Sequence, residues 1–428
     1  MYISFVPKWR HVALPRYLRK VRKWRALNPQ TASVEQLWAG IRAMSRADAE
    51  YWYRGGAWHA FSLTRGTESQ LQKFLDESAP GKFTTGHFLS GLKSRAFEAQ
   101  IKLWSIAQMI RNESTLLNLT VETPPSLLLE IYRDRDDATN ICTAINQYLD
   151  TYGHQVFTLD FVEPSEAENP ESLIRSLHGL ILLSDYDPHA NQRRLTERRL
   201  DATQLAYRSF SGTLRWKFLW RLWVARHYYS NREEAMFYVG FAWTVLRPLA
   251  IELGQRLTSI GTLTNRDDVF FLNTEELARA IRAAINNTAL PEYQNVATDR
   301  RALREARRQL SPPPIIGERP SHWGKEPSSV IDGDKKNSDE FTGSAVSPGV
   351  VTAKASLVLS PSDFKKMKPG TVLVCPTTTP AWTHLFPLAE ALVTDIGGIL
   401  AHGSIVAREY GIPAVLGLID ITKRVKHG

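Results

Sequence analysis

Cysteine is almost missing from this 428-residue sequence: Cys142 and Cys375 are the only two, and they lie far apart. That excludes a disulfide framework and a cysteine-rich metal cluster, so no metal site is expected, and it suits a reducing, cytoplasmic setting. Long apolar runs are also missing. The longest are too short and too interrupted to span a bilayer, which takes about 20 apolar residues. The N-terminus is basic and aromatic rather than apolar and small, so no secretory signal is read there. No Walker-type phosphate loop occurs. The net charge is +9, with basic clusters at Lys8 to Arg25 and Arg300 to Arg308. No zinc-finger, RNA-recognition or helix-turn-helix pattern accompanies them, so nucleic acid is not the expected partner.

The rest of the composition is that of a globular chain long enough for two or three domains. Residues 1–310 read as helices. Leu18, Val21 and Trp24 have helical spacing in a basic segment. Ser33 with Gln36, and Ser94 before Arg95 to Asn112, are candidate N-caps. The basic, aromatic stretch Ala202 to Tyr229 reads as one helix, and Asn231-Arg232-Glu233-Glu234 as the start of another, Ala235 to Leu257, kinked at Pro248. Asp267 to Asn273 reads as a short strand. Residues 311–341 change character, with Ser311-Pro312-Pro313-Pro314 and then Gly, Pro, Ser and Asp without period. This is read as a flexible linker, able to span about 100 Å at full extension. Residues 342–428 switch to short strands and Gly/Pro turns, a small α/β domain, with a short helix expected near Leu385 to Glu390.

Within that last domain one stretch carries chemistry. A β-like run, Ala391 to Thr394, enters Gly397 and Gly398, then His402, then a helical pattern from Ser404 to Tyr410 closed by Gly411. Glycines admit close backbone approach. A histidine at a helix start sits where free N–H groups and the helix dipole hold an anion, phosphate above all. Neutral imidazole is a good nucleophile near pH 7, and its phosphoramidate transfers readily. His402 is therefore read as a phosphoryl carrier. Gly397, Gly398, Gly403 and Ser404 would border the phosphate. Arg408 would either compensate phosphate charge or form a structural salt bridge.

The C-terminal domain resembles the mobile phosphohistidine domain of the phosphoenolpyruvate-utilising enzymes, which include phosphoenolpyruvate synthase, pyruvate phosphate dikinase and rifampicin phosphotransferase. The likeness rests on Ser347-Pro348-Gly349, Thr377-Thr378-Thr379-Pro380-Ala381-Trp382, Thr394-Asp395-x-Gly397-Gly398, His402-x-x-Ile405-Val406-Ala407-Arg408-Glu409 and Gly411-Ile412-Pro413-Ala414-Val415-x-Gly417. Residues 1–310 are similar, more loosely, to the helical substrate region of rifampicin phosphotransferase-like proteins, through Tyr152-Gly153-His154, Arg232-Glu233, Arg247-Pro248-x-x-x-Glu252-x-Gly254-x-x-Leu257 and Asp268 to Leu272. The resemblance implies a helical substrate-binding region at 1–310 and a swivelling domain at 342–428, the second carrying phosphate from an ATP-binding unit to an acceptor.

Two departures accompany it. No ATP-binding unit is visible, so the resemblance implies ATP and Mg through a partner, either a separate ATP-grasp subunit or an N-terminal part of a longer protein. The residue before the histidine, often Ser, Thr or Cys in the family, is Ala401. Arg232, Glu233, Arg247 and His154 are the candidate acceptor-site residues, the arginines for phosphoryl charge and Glu233 as base. Surface ion pairing and a helix-end hydrogen bond are their structural alternatives. The expected function is a phosphotransferase component with a small, aromatic or hydrophobic acceptor. A ligase half that activates its substrate by phosphorylation, and a silent binding subunit, are the alternatives.

Overall fold

The computed structural model describes residues 8–53, 57–158, 160–183, 186–308, 310, 340–398 and 401–428. The linker expected at 311–341 lies outside these residues except for its last two positions. Among the described residues, helices dominate up to Arg308 and a single sheet follows from Ser344. No described helix is long and apolar enough to cross a membrane.

The helical region runs α1 (Leu14–Arg25), α2 (Val34–Tyr53), α3 (Ala57–Ser78), α4 (Arg95–Arg111), α5 (Ser114–Glu122), α6 (Pro125–Arg133), α7 (Thr139–Tyr152), α8 (Glu171–Leu182), α9 (Pro188–Ser209), α10 (Gly212–Phe237), α11 (Trp243–Ser259), α12 (Thr274–Asn286) and α13 (Gln294–Arg308). Local chemistry starts several of them. The Gln36 amide N–H donates to Ser33 Oγ at 3.2 Å while Gln36 Oε1 accepts from the Ser33 amide at 2.8 Å, a reciprocal cap. Ser94 Oγ accepts from the Phe97 amide at 3.1 Å. Asn273 and Glu276 make a second capping box on α12. Three apolar cores result. One joins α1, α2 and α11, one joins α4 to α8, and one lies between α3 and α10.

Three local expectations give way to tertiary structure. Asp267 to Asn273 contains a 3-10 turn, Arg266–Phe271, rather than a strand. Asp268 accepts from the Asn265 amide and pairs with Arg301, which curls the backbone despite the apolar run Val269 to Leu272. Asn231 to Glu234 does not begin a helix but lies inside α10, with Asn231, Arg232 and Glu233 buried. The break comes at 238–242, where Gly240 adopts φ 78° against Val156 and the His154 carbonyl. Further on, Leu385 to Leu388 belongs to a longer 3-10 segment, Pro380–Leu388, and Ala389 already begins a strand.

The sheet contains β1 (Ser344–Ser347), β2 (Ala355–Leu357), β3 (Thr371–Cys375), β4 (Ala389–Thr394) and β5 (Ala414–Leu416), with α14 (His402–Tyr410) between β4 and β5. Its order is β1-β5-β4-β3-β2, parallel except for β1 on β5. The central strands are buried, so Leu373, Val374, Cys375 and Leu392 form an unbroken apolar layer. This core reaches into the helical region through Phe157, and Ile405 of α14 joins the core between α3 and α10. The two units are thus packed together, with α14 at the seam.

Gly254 on α11 lets that helix touch the 266–271 turn. A Cβ there would stand 2.0 Å from the Arg266 carbonyl oxygen. Gly254→Ala should therefore lower stability by about 1–3 kcal/mol in urea unfolding, even though alanine is the better helix former. An unchanged midpoint would show that the close approach is not needed.

Candidate functional site

The site is built where β4 ends. Gly397 has φ 144°, and a Cβ on it would meet Leu416 Cδ2 at 2.8 Å, so the loop turns under β5 only with glycine. Asp395 pins the same loop by accepting from the Thr422 amide at 2.9 Å and its hydroxyl at 2.6 Å. Ser404 Oγ donates to the Gly398 carbonyl at 2.6 Å. Gly398 itself faces open space. These bonds deliver His402 as the first residue of α14, whose N-terminus has no side-chain cap.

His402 is 8 % exposed. Its Nε2 lies 3.3 Å from Thr383 Oγ1, and its buried Nδ1 has no hydrogen-bond partner. Thr378 presents a second buried hydroxyl, also without a partner, on the Gly403 side of the ring. Burial, and then the positive charge of Arg232, push the imidazole down to about 3. At neutral pH the ring is uncharged and keeps a lone pair, which a nucleophile requires.

The helical region supplies the other wall. Arg232 and Glu233 pair at 3.0 Å on α10 and are both buried. Next to them Asn231 is fully buried with both amide atoms unpartnered, as is the Tyr229 hydroxyl. Arg408 of α14 donates to Glu68 of α3 at 2.8 Å and to the Ser404 carbonyl at 3.1 Å. Its neighbour Glu409 accepts from Ser94 Oγ at 2.8 Å. Burial pushes the Glu233 carboxyl up against the opposing pull of Arg232 and Arg408. The Glu409 carboxyl is raised well above its ordinary value by burial and then by Glu233. A neutral imidazole, two arginines, three carboxyls and several unpartnered polar atoms therefore meet in a buried seam. Buried polar groups without partners are costly, so their concentration here marks a place prepared for polar contents.

Among the residues singled out in the sequence, the structure gathers His402, Gly403, Ser404, Arg408, Arg232 and Glu233. Arg408 is engaged by Glu68, so its salt bridge is the contact in this arrangement. Gly397 and Gly403 pack closely against Leu416 and Thr378, respectively. Arg247 lies elsewhere, held by Glu168 at 2.8 Å and stacked over Phe270 at 4.8 Å. His154 donates to the Phe237 carbonyl and packs edge-on to Phe237 and Phe241, locking the end of α10. Burial lowers its ring to about 4. Sequence reasoning gave Ser94 only as a cap and Asn231 only as part of a helix start, and it missed Thr383, Glu68 and the role of Glu409. The run of threonines before His384 was a usable signal. Glu68 had none, because a carboxylate inside a helix is ordinarily solvated.

A second buried contact crosses the seam. His384 Nδ1 lies 3.3 Å from Glu166 Oε1, and both side chains are almost fully covered. Burial pushes Glu166 up to about 8 and His384 down to about 3, so both are neutral between those values.

Residues 367–428 match the mobile domain of PEP-utilising enzymes, and residues 61–233 match the fourth domain of rifampicin phosphotransferase. The chain is 26 % identical over 376 residues to an uncharacterized phosphotransferase, YvkC, of Bacillus subtilis, covering 86 % of this chain and 44 % of that protein. It is 25 % identical over 346 residues to the rifampicin phosphotransferase of the same organism, covering 77 % and 38 %. It is also 27 % identical over 361 residues to chondramide synthase cmdD of Chondromyces crocatus, covering 79 % and 9 %. The chain thus spans less than half the length of these relatives. Its sheet unit resembles a PEP-utilising mobile domain, and its helical region resembles a rifampicin phosphotransferase domain.

The burial of Glu166 sets a pH dependence. Its folded-state value lies above that of an unfolded chain, so the folded state holds the extra proton. The stability from this proton is complete below the ordinary carboxylate value and is lost as pH rises towards about 8. Glu166→Gln should flatten the fall in urea stability over that window. A variant with the wild-type slope would show that another group carries it.

Proposed function

We propose that this chain is a phosphotransferase component in which His402 accepts a phosphoryl group and passes it to a small molecule held by the helical region. In the first step a phosphorus–oxygen bond of the donor breaks as a phosphorus–nitrogen bond to the imidazole forms. In the second, the phosphorus–nitrogen bond breaks and an acceptor hydroxyl takes the phosphoryl group, its proton going to Glu233. Arg232 balances charge on the moving group, which is where electrostatic stabilisation counts most. The observation that carries this reading is the burial of a neutral His402 beside Arg232 and Glu233 of the other unit. The relatives' phosphotransferase names agree with it.

The donor in this proposal is ATP with Mg, bound by an ATP-grasp unit outside these residues, and the setting is the cytoplasm. His402 is 8 % exposed in the docked arrangement, so loading requires the sheet unit to leave the helical region. The acceptor is aromatic or hydrophobic, because the buried aromatic residues Tyr228, Tyr229 and Phe237 lie on the turns of α10 around Arg232 and Glu233. Condensation of an activated substrate is the second reading, favoured by the similarity to a synthase. The two differ in product, phosphorylated or condensed.

The test is labelling. The chain, incubated with labelled phosphoramidate or with the ATP-binding unit and β-labelled ATP, should gain acid-labile, base-stable label that His402→Ala lacks. Arg232→Gln should still take label but release it to the acceptor about a hundredfold more slowly. Equal labelling of wild type and His402→Ala would sink the relay.

A further inference from the structure

The hairpin of α9 and α10 carries a surface that phosphoryl transfer does not use. Trp216, Trp220 and Trp223 are 75 %, 56 % and 51 % exposed. Steps of four and three residues put them on one face of α10. The opposite face, with Phe218, Leu222, Ala225 and Tyr229, is buried in the core shared with α3. Trp220 stacks on Trp223 with ring centres 5.4 Å apart, and His227 continues the stack at 5.4 Å. Leu214 on α10, with Leu205 and Tyr207 on α9, adds exposed apolar surface around the hairpin. A soluble surface rarely keeps so many large apolar side chains together unless something covers them.

Charge narrows what that cover is. From residue 202 to residue 230 there are five basic residues, Arg208, Arg215, Lys217, Arg221 and Arg226, and no acidic one. Arg226 turns inward to the Phe88 carbonyl and Thr203. Lys217 is exposed beside the indoles. Arg215 is stacked on Tyr207 at 4.4 Å and Arg221 on the buried Phe74 at 5.1 Å, so Arg215 and Lys217 flank the indole face while Arg221 leans toward α3. A second copy of the chain would bring the same cations face to face with no carboxylate between residues 202 and 230 to pair them. Indoles flanked by Lys and Arg, on a face poor in hydrogen-bonding groups, fit the boundary between lipid headgroups and acyl chains. There the rings sit half-buried, and long basic stems reach phosphate.

We infer that the 202–230 hairpin seats this chain on an anionic membrane surface, with Trp216, Trp220 and Trp223 in the headgroup boundary and Arg215 and Lys217 on lipid phosphates. The contact is peripheral and independent of the phosphoryl-transfer reading, since His402, Arg232 and Glu233 take no part in it.

Vesicle co-sedimentation of the full chain tests this, with phosphatidylcholine alone and with phosphatidylcholine mixed with phosphatidylglycerol. The chain should sediment with the mixed vesicles, with a blue-shifted tryptophan emission, and remain in solution with phosphatidylcholine alone. Added salt should release it. W216S/W220S/W223S should abolish binding while melting at the wild-type temperature, and K217Q should weaken binding roughly fivefold. The proposal is overturned if mixed vesicles leave the chain in solution or if the triple variant binds like wild type. It is equally overturned if the face makes a dimer that the triple variant loses, or if poly-glutamate shifts the emission and vesicles do not.

Discussion

The ion pair between Arg408 of α14 and Glu68 of α3 holds the two units in their present relation. Both side chains are almost completely covered, at 1 % and 2 % exposure. Removing one partner from such a pair leaves a buried charge and costs about 3–5 kcal/mol. It also fixes the orientation of α14, so His402 at the start of the same helix arrives beside Arg232. Around it, Glu409 takes Ser94, Asn191 donates to the Tyr410 carbonyl, and Thr379 donates to the Val156 and Phe157 carbonyls. The seam combines these polar contacts with apolar ones through Phe157 and Ile405. Parting the units would return its charges to water, which offsets much of what the contacts contribute.

The charged groups of the seam are paired. Burial raises both the Glu409 and the Glu233 carboxyls, while Glu68 faces Arg408 and Glu233 faces Arg232. A phosphoryl group on His402 would add negative charge to this set. In the proposed relay Arg232 would answer that charge and its partner Glu233 would take the acceptor's proton, so one buried pair would serve both roles.

Much of the fold was legible because local and tertiary preferences agree. Ser33, Ser94 and the Gly411 stop lie where capping chemistry puts them. The glycine pair and His402 were legible because a strand, a tight turn and a helix start leave few residue choices. Arg232 and Glu233 were readable as a candidate pair, but not as the wall facing His402, because nothing local says which helix face a distant domain covers. The strand expected at Asp267 to Asn273 failed because Asp268 finds Arg301, a partner thirty residues on. The helix break expected at Asn231 failed because its polar side chains are buried rather than capping. In each case a contact remote in sequence overruled a preference near in sequence.

Ala401 shows the same point at the centre of the site. Read along the chain, alanine before His402 removes a hydroxyl from the phosphate's surroundings. In the fold, hydroxyls come from another direction. Thr383 stands 3.3 Å from His402 Nε2, and Thr378 lies against Gly403 with its oxygen unpartnered. Both belong to the turn after β3, the strand beside β4, so the parallel pairing of those two strands places their loops at the same end of the sheet. That end is also where the helical region closes over the histidine. A hydroxyl supplied from the 377–383 loop has one advantage over one supplied from position 401. It comes from a loop that Thr379 anchors to the helical region, so one loop touches both His402 and the other unit.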